Sequence, residues 1–211
     1  MAPASPALIF KQTLLSVVFL ACVLTKAQAA PQDVQVYVLY GQGGSVMARG
    51  MKTLADSLEK MDSRLQVSMH EWKTYQDVIR KIASLPPDTP VVMIGYSLGA
   101  NATTWISNEL PSRLIHLIVA YDPTVLSEVQ PAGRNVKRVV LYHNNSLEPY
   151  GHARIPGPQV ETVETKNSHF SVGSSSWLHG KTRTAVSQVL AEIERGQLNP
   201  PGPRPASAPA R

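Results

Sequence analysis

Cysteine is almost absent from this chain: Cys22 is the single one in 211 residues. It lies in an N-terminal segment that has a positive charge, an apolar run over residues 14–24, and the small residues Ala27-Gln28-Ala29 that a signal peptidase requires. The apolar run is shorter than the roughly 20 residues that span a bilayer, which favours cleavage over an uncleaved anchor. We therefore expect residues 1–29 to be a signal peptide and the protein to be exported, either periplasmic or secreted.

Loss of Cys22 would leave the exported chain without a thiol, which excludes disulfides, cysteine-ligated metals and a cysteine nucleophile. The alternative, a lipid anchor on Cys22, is disfavoured because Phe19 fits the preceding lipidation box poorly. The sequence has no H-E-x-x-H motif or comparable cluster of histidines and carboxylates, so it predicts neither a metal nor another cofactor.

The net positive charge is also modest once the N-terminal segment is removed. The formal net charge of +5 includes Lys11 and Lys26, so the exported chain carries +5 − 2 = +3. No cluster of Lys and Arg with interleaved aromatics accompanies this charge, and we expect no nucleic-acid partner.

Large apolar residues are missing from the C-terminal segment 199–211, which contains five prolines. Such a segment cannot bury enough surface to offset the entropy of ordering, and we expect it to be disordered.

Residues 30–198 are enough for one well-buried domain and too few for two ordinary ones. The pattern predicts no membrane span after cleavage, and it leaves the oligomeric state open.

Runs of Val, Ile and Leu alternate with helical patterns along this domain. Their nearly continuous hydrophobicity is typical of parallel strands buried on both faces, so the alternation predicts an α/β domain with a mainly parallel sheet of about six strands and helices on both faces. The predicted strands are Val34–Tyr40, Leu65–His70, Pro90–Ile94, Ile115–Tyr121, Val136–Tyr142 and Gln159–Glu164. The predicted helices are Met47–Met61, Tyr75–Leu85, Ala100–Leu110 and Thr182–Arg195.

The motif Gly95-Tyr96-Ser97-Leu98-Gly99 joins a predicted strand to a predicted helix. A sharp turn at this place exposes a serine hydroxyl above the sheet edge, and flanking glycines let strand and helix approach each other. A bare G-x-S-x-G string is weak, and the alternative is a glycine-rich turn with an idle serine. The strand-to-helix setting favours Ser97 as a nucleophile.

A serine nucleophile needs a base and a carboxylate that orients this base, and in such a fold they follow in the order serine, acid, histidine. Asp122 lies at the end of the strand after Ser97, where catalytic groups of α/β sheets collect. Glu148, one strand later, is the rival acid. His169 follows the last predicted strand and is the candidate base, with His152 in reserve. A strand-end turn at Asp122 and a surface loop at His169 are the structural alternatives.

Acyl transfer also requires donors for an oxyanion, commonly one N–H after the nucleophile and one after an early strand. Leu98 supplies the first, and Gln42 in Gly41-Gln42-Gly43-Gly44 is the favoured candidate for the second, with Gly43 as the alternative. The alternatives for this loop are a plain tight turn and a glycine loop that cradles a phosphate. The second is disfavoured because the glycine spacing matches no nucleotide-binding motif.

Together, Ser97 in GYSLGA, Asp122 in YDP and His169 in a late segment resemble the lipases and esterases of the α/β-hydrolase superfamily. The position of the acid, at the end of the strand that follows the nucleophile, resembles that in the pancreatic-lipase-like branch and in some thioesterase domains. GYSLGA is similar to the nucleophile motif of cutinases. Tyr40-Gly41 stands where many lipases have His-Gly.

The resemblance implies a serine hydrolase that cleaves small carboxylic esters through a Ser-His-Asp acyl-enzyme mechanism. Two alternatives remain: a thioesterase or amidase acting on envelope substrates, and a catalytically inactive protein that keeps the fold and binds a ligand.

Overall fold

A computed structural model describes residues 33–145 and 150–196, apart from the side chains of residues 44–47. The predicted signal peptide 1–29, the tail 199–211 and the rival acid Glu148 lie outside the described residues. Signal cleavage and tail disorder therefore stay predictions.

A single sheet of six parallel strands forms the centre of the described domain, in the order β2-β1-β3-β4-β5-β6. Its strands are β1 (Val34–Tyr40), β2 (Leu65–Glu71), β3 (Val91–Tyr96), β4 (Leu117–Tyr121), β5 (Val139–Asn144) and β6 (Val160–Thr165). The predicted parallel six-stranded sheet is confirmed. The bounds of β1 agree with the prediction, whereas β4 and β5 begin later than expected because Ile115 and Val136 form only an isolated bridge.

Helices cover both faces of the sheet. They are α1 (Gly44–Glu59), α2 (Tyr75–Ser84), α3 (Leu98–Glu109), the one-turn α4 (His169–Val172) and α5 (Ser176–Glu194); Trp72–Thr74 forms a short 3-10 turn. Along β3, Val92 and Ile94 join a core with residues of α1 and α5, while Val91 and Met93 join a second core with residues of α2 and α3. This alternation is the period-2 geometry of a strand, and it explains why both faces of the strand are apolar.

Four helix starts differ from the prediction, each because of a local turn or cap. Helix α3 begins at Leu98 rather than Ala100, directly after the turn at Ser97. Gly43, at φ 105°, ends the turn after β1, so α1 begins at Gly44 rather than Met47. The side chain of Ser175 accepts a hydrogen bond from Leu178 N, and α5 begins at Ser176, six residues before the predicted Thr182. Ser168 caps α4 in the same way, so His169 begins a short helix where a loop was predicted.

The chain runs from β1 to β2 on one side and from β3 to β4 on the other, so the direction of the connections reverses between the neighbouring strands β1 and β3. A crevice forms at such a switch point, outside the carboxyl ends of the strands, and ligands of α/β sheets bind there. The segments after β1, β3, β4 and β6 all begin at this edge. In residues 33–145 and 150–196, no helix is both long and apolar enough to cross a membrane.

Candidate active site

Ser97 occupies the turn between β3 and α3, with φ 57° and ψ −125°. Its N–H donates to Tyr121 O at 3.0 Å, which continues the parallel ladder from β3 to β4 beyond the last strand residue. The flanking glycines are close to other backbone: a Cβ on Gly95 would overlap Ala100, and a Cβ on Gly99 would overlap Leu39. The turn is therefore the sharp strand-to-helix elbow that the motif predicted.

Asp122 follows β4 and is fully buried. Its Oδ2 lies 2.7 Å from His169 Nδ1, while its Oδ1 accepts from the backbone N–H of His152 at 3.3 Å and of Asn144 at 3.4 Å. Hydrogen bonds to both oxygens fix the plane of the carboxylate.

His169 begins α4, and its side chain is 5% exposed. Its Nε2 lies 3.0 Å from Ser97 Oγ, on the opposite side of the ring from Asp122. With the carboxylate ionised, these partners assign the proton to Nδ1 and leave Nε2 as the acceptor of the serine proton. The structure thus brings Ser97, His169 and Asp122 into one hydrogen-bonded chain, although their catalytic roles stay predictions.

Tyr96, the residue before Ser97, connects the elbow to the histidine segment. Its hydroxyl donates to His169 O at 3.0 Å, and the two rings lie 5.6 Å apart. Burial, and to a lesser extent the negative charge of Asp122, raises the pKa of Tyr96 to about 12. The phenol therefore remains a hydrogen-bond donor at any ordinary working pH. Sequence reasoning did not assign this role to the variable position of the motif.

The backbone is strained at three residues of this site. Among the described residues, positive φ angles outside glycine occur at Ser97 (57°), Asp122 (43°) and His152 (77°). Each such conformation costs about 1–3 kcal/mol, and strain of this kind clusters at functional sites. His152 donates its N–H to Asp122, and His169 links Asp122 to Ser97, so the strain is confined to one hydrogen-bonded group of residues. This is evidence for function that is independent of the motif.

Two glycines let the backbone pass against the reactive side chains. A Cβ on Gly41 would lie 2.8 Å from Ser97 Cβ and 3.1 Å from its Oγ. A Cβ on Gly151 would overlap Asp122 Oδ2 and lie 3.0 Å from His169 Nδ1. Any larger residue at Gly151 would therefore push the carboxylate away from the histidine.

Asn101 is a buried residue of α3 that the sequence interpretation missed. Its Nδ2 donates to Thr124 O at 2.9 Å and to Ser127 O at 3.2 Å, and its Oδ1 accepts from Thr124 N at 3.1 Å. These bonds hold the segment that follows Asp122 against the helix that follows Ser97. A polar residue inside a predicted buried helix was the only signal in the sequence.

His152, the reserve base, takes a different position. Its Nδ1 lies 2.7 Å from Asn144 O, and its contact with Asp122 is through the backbone N–H. The structure therefore places it behind the acid, away from Ser97 Oγ.

The two predicted oxyanion donors lie in segments next to Ser97. Leu98 is the first residue of α3, and Gln42 follows Gly41, which packs against Ser97. The N-termini of α1 and α3 begin at this edge, so their dipoles favour negative charge there. Within the described part of the chain, no group of three or more His, Cys, Asp or Glu side chains is arranged to hold a metal ion.

No protein-family model and no curated protein sequence matches the chain. Solved structures do resemble it. A methylesterase from Arabidopsis superimposes with a TM-score of 0.50 at 12% identity, over 74% of this chain and 99% of that one. A protein described as a hydrolase of the α/β superfamily from Xanthomonas campestris gives 0.46 at 13% identity, over 77% and 99%. Est1E from Butyrivibrio proteoclasticus gives 0.46 at 11% identity, over 82% and 91%.

At such low identity these likenesses concern the fold alone. The six-stranded parallel sheet, its helices on both faces and the likeness to the Arabidopsis structure agree with one another. The described part of the chain has the α/β-hydrolase fold.

Proposed function

We propose that this protein is an exported serine hydrolase that cleaves carboxylic esters through an acyl-enzyme. The observation that carries the proposal is the hydrogen-bonded chain from Ser97 Oγ through His169 to Asp122, with distances of 3.0 and 2.7 Å. An idle serine in a turn has no need of a buried carboxylate aligned behind a histidine. The strained backbone at Ser97 and Asp122 supports the same proposal.

In the acylation step, Ser97 Oγ attacks the ester carbonyl carbon while His169 Nε2 takes the hydroxyl proton. Asp122 holds the ring in the required tautomer and stabilises the imidazolium that forms. The carbonyl oxygen becomes an oxyanion, which the N–H groups of Leu98 and Gln42 would stabilise. Collapse of this intermediate breaks the bond to the alcohol oxygen, and this oxygen receives the proton from Nε2.

In the deacylation step, water replaces the alcohol beside His169. Nε2 takes a proton from the water, the resulting hydroxide attacks the acyl carbon, and Ser97 leaves with the proton restored. The products are a carboxylic acid and the free enzyme, and no cofactor enters the cycle.

An ester is the preferred substrate because the fold is shared with a protein that is a methylesterase. Thioesters and amides would react with the same groups, and they are the alternative substrates of the proposal. Export is proposed on the signal-peptide pattern of residues 1–29. Expression of the full chain in a bacterium, followed by intact mass analysis of the periplasmic fraction, tests it: the mass expected is that of residues 30–211, and an uncleaved cytoplasmic product would contradict export.

Hydrolysis of p-nitrophenyl acetate by the purified folded protein tests the enzymatic proposal. We expect turnover by the wild type, and a loss of at least about 10³-fold in kcat/KM for Ser97→Ala and for His169→Gln. Thioester and amide analogues measured beside it rank the leaving groups. A folded wild type that turns over none of these substrates would support the inactive binding protein instead.

A further inference from the structure

Two exposed aromatic rings lie next to the candidate base. Phe170, the residue after His169, is 58% exposed, and Tyr150 is 44% exposed. Their ring centroids are 5.8 Å apart at 63°, and the Phe170 ring lies 5.7 Å from the His169 ring at 80°. We call Phe170 and Tyr150 the aromatic pair.

Two more exposed apolar residues lie in the segment that follows Asp122. Val125 and Leu126 are 59% and 61% exposed. An antiparallel bridge between Thr124 and His152 brings their segment alongside the segment that carries Tyr150. An exposed apolar rim beside a polar buried site is the usual arrangement of a small-molecule site, in which apolar contacts supply affinity and a few polar groups supply orientation.

The chemistry of the proposed reaction determines which half of an ester would meet the aromatic pair. His169 Nε2 must donate its proton to the departing alcohol oxygen, so this oxygen lies within hydrogen-bond distance of the imidazole. The carbonyl oxygen instead points toward the N–H groups of Leu98 and Gln42. Substituents on the alcohol oxygen therefore extend past His169, where Phe170 makes its edge contact with the imidazole.

We infer that the aromatic pair is a specificity site for the alcohol half of the ester, and that it selects apolar alcohols, aromatic ones above all. This inference rests on the proposed function. Aromatic rings contribute both buried apolar area and favourable edge-to-face contacts, and Phe170 and Tyr150 already adopt this geometry with each other.

Two ester series separate the two halves of the substrate. In the first, methyl, butyl and benzyl acetate vary the alcohol; in the second, methyl acetate, butanoate and hexanoate vary the acyl chain. Acid release measured by pH-stat titration gives kcat/KM for each ester. The variants are Phe170→Ser and Tyr150→Ser, with Phe170→Leu as the conservative change. Trp177→Ser is the matched control, because Trp177 is 55% exposed and its ring contacts Lys181.

We expect the wild type to prefer benzyl over methyl acetate by about tenfold, an order of magnitude set by the apolar area that such a contact buries. Phe170→Ser should reduce this ratio about three- to tenfold, and Tyr150→Ser should reduce it less. Phe170→Leu keeps apolar area but loses the aromatic ring, so it should reduce the ratio less than Phe170→Ser does and more than the control does. Trp177→Ser should stay within about twofold of the wild-type ratio, as should the acyl series in every variant.

Several results would overturn the assignment. An unchanged benzyl-to-methyl ratio in folded Phe170→Ser, an equal reduction in Trp177→Ser, or a reduction confined to the acyl series each contradicts it. Failure of the proposed function looks different, since the wild type would then hydrolyse no ester of either series, and both proposals would be wrong together.

Discussion

Replacement of Gly151 by alanine tests the acid–base geometry with the addition of one methyl group. The new Cβ would overlap Asp122 Oδ2 and would lie 2.9 Å from Asp122 Cγ and 3.0 Å from His169 Nδ1. Asp122 Oδ2 must then move by about 1.4 Å, to restore an ordinary van der Waals separation of roughly 3.5 Å. A shift of this size breaks the 2.7 Å hydrogen bond to Nδ1.

The expected loss follows from the role of the acid. Removing the orienting carboxylate of a triad lowers kcat by up to about 10⁴-fold, and a displaced but charged carboxylate retains part of the effect. We expect Gly151→Ala to lower kcat about 10²- to 10³-fold, equivalent to about 3–4 kcal/mol of transition-state stabilisation. KM should change much less, because Asp122 is buried behind the histidine and does not touch the substrate.

The assay is steady-state hydrolysis of p-nitrophenyl acetate, with thermal unfolding measured on the same samples. Gly173→Ala is the matched control: Gly173 also lies near His169, but its backbone suits alanine and a Cβ there would meet Tyr96 at an ordinary 3.5 Å. A Gly151→Ala protein that unfolds cooperatively and keeps kcat within about threefold of the wild type would refute the reasoning.

Three further predictions concern stability. Burial lowers the pKa of His116 from 6.5 to about 4 in the folded protein. As the pH falls from 6.5 to 4, this histidine is therefore protonated in the unfolded chain before it is protonated in the folded one. The free energy of unfolding should therefore decrease between pH 6.5 and 4, by at most about 3 kcal/mol, and His116→Gln should flatten the pH profile in urea titrations; an unchanged slope would contradict this. Asn101→Ala should cost about 2–3 kcal/mol and also lower kcat, since it leaves the buried backbone groups of Thr124 without their partner; a cost within 0.5 kcal/mol, on the order of an ordinary surface substitution, would be against it. Ser97→Gly should raise the Tm relative to Ser97→Ala by roughly 2–4 °C, because only glycine relaxes φ 57°, and equal Tm values would show that the elbow is not strained.

The sheet was predictable because buried parallel strands have a strong sequence signal. Each strand in the middle of the sheet is apolar on both faces. The glycine and polar residues between strands mark where the strands end. Helix starts were less predictable, because they depend on single caps. Ser175 extends α5 toward its N-terminus through one side-chain hydrogen bond, in a stretch of serines that has no helical pattern of its own.

The candidate site was predictable only as far as chain order constrains it. The order of Ser97, Asp122 and His169 along strand ends was enough to nominate them, because parallel strands end at one edge. What the sequence could not show is which distant groups support them. The roles of Asn101 and Gly151 depend on contacts across separate segments, and neither residue belongs to a motif. The alternative acid Glu148 stays outside the described residues, so the choice between the two carboxylates still rests on the position of Asp122 beside His169.

Labelling with a fluorophosphonate probe, followed by peptide mass mapping, tests the central claim most directly. Such a probe reacts with a serine only when a nearby base activates it. We expect the folded wild type to carry one label, on the peptide that contains Ser97, and Ser97→Ala to carry none. Labelling should be slowed strongly in His169→Gln. A folded wild type that stays unlabelled, or that carries the label on another residue, would contradict the assignment of Ser97 as the nucleophile.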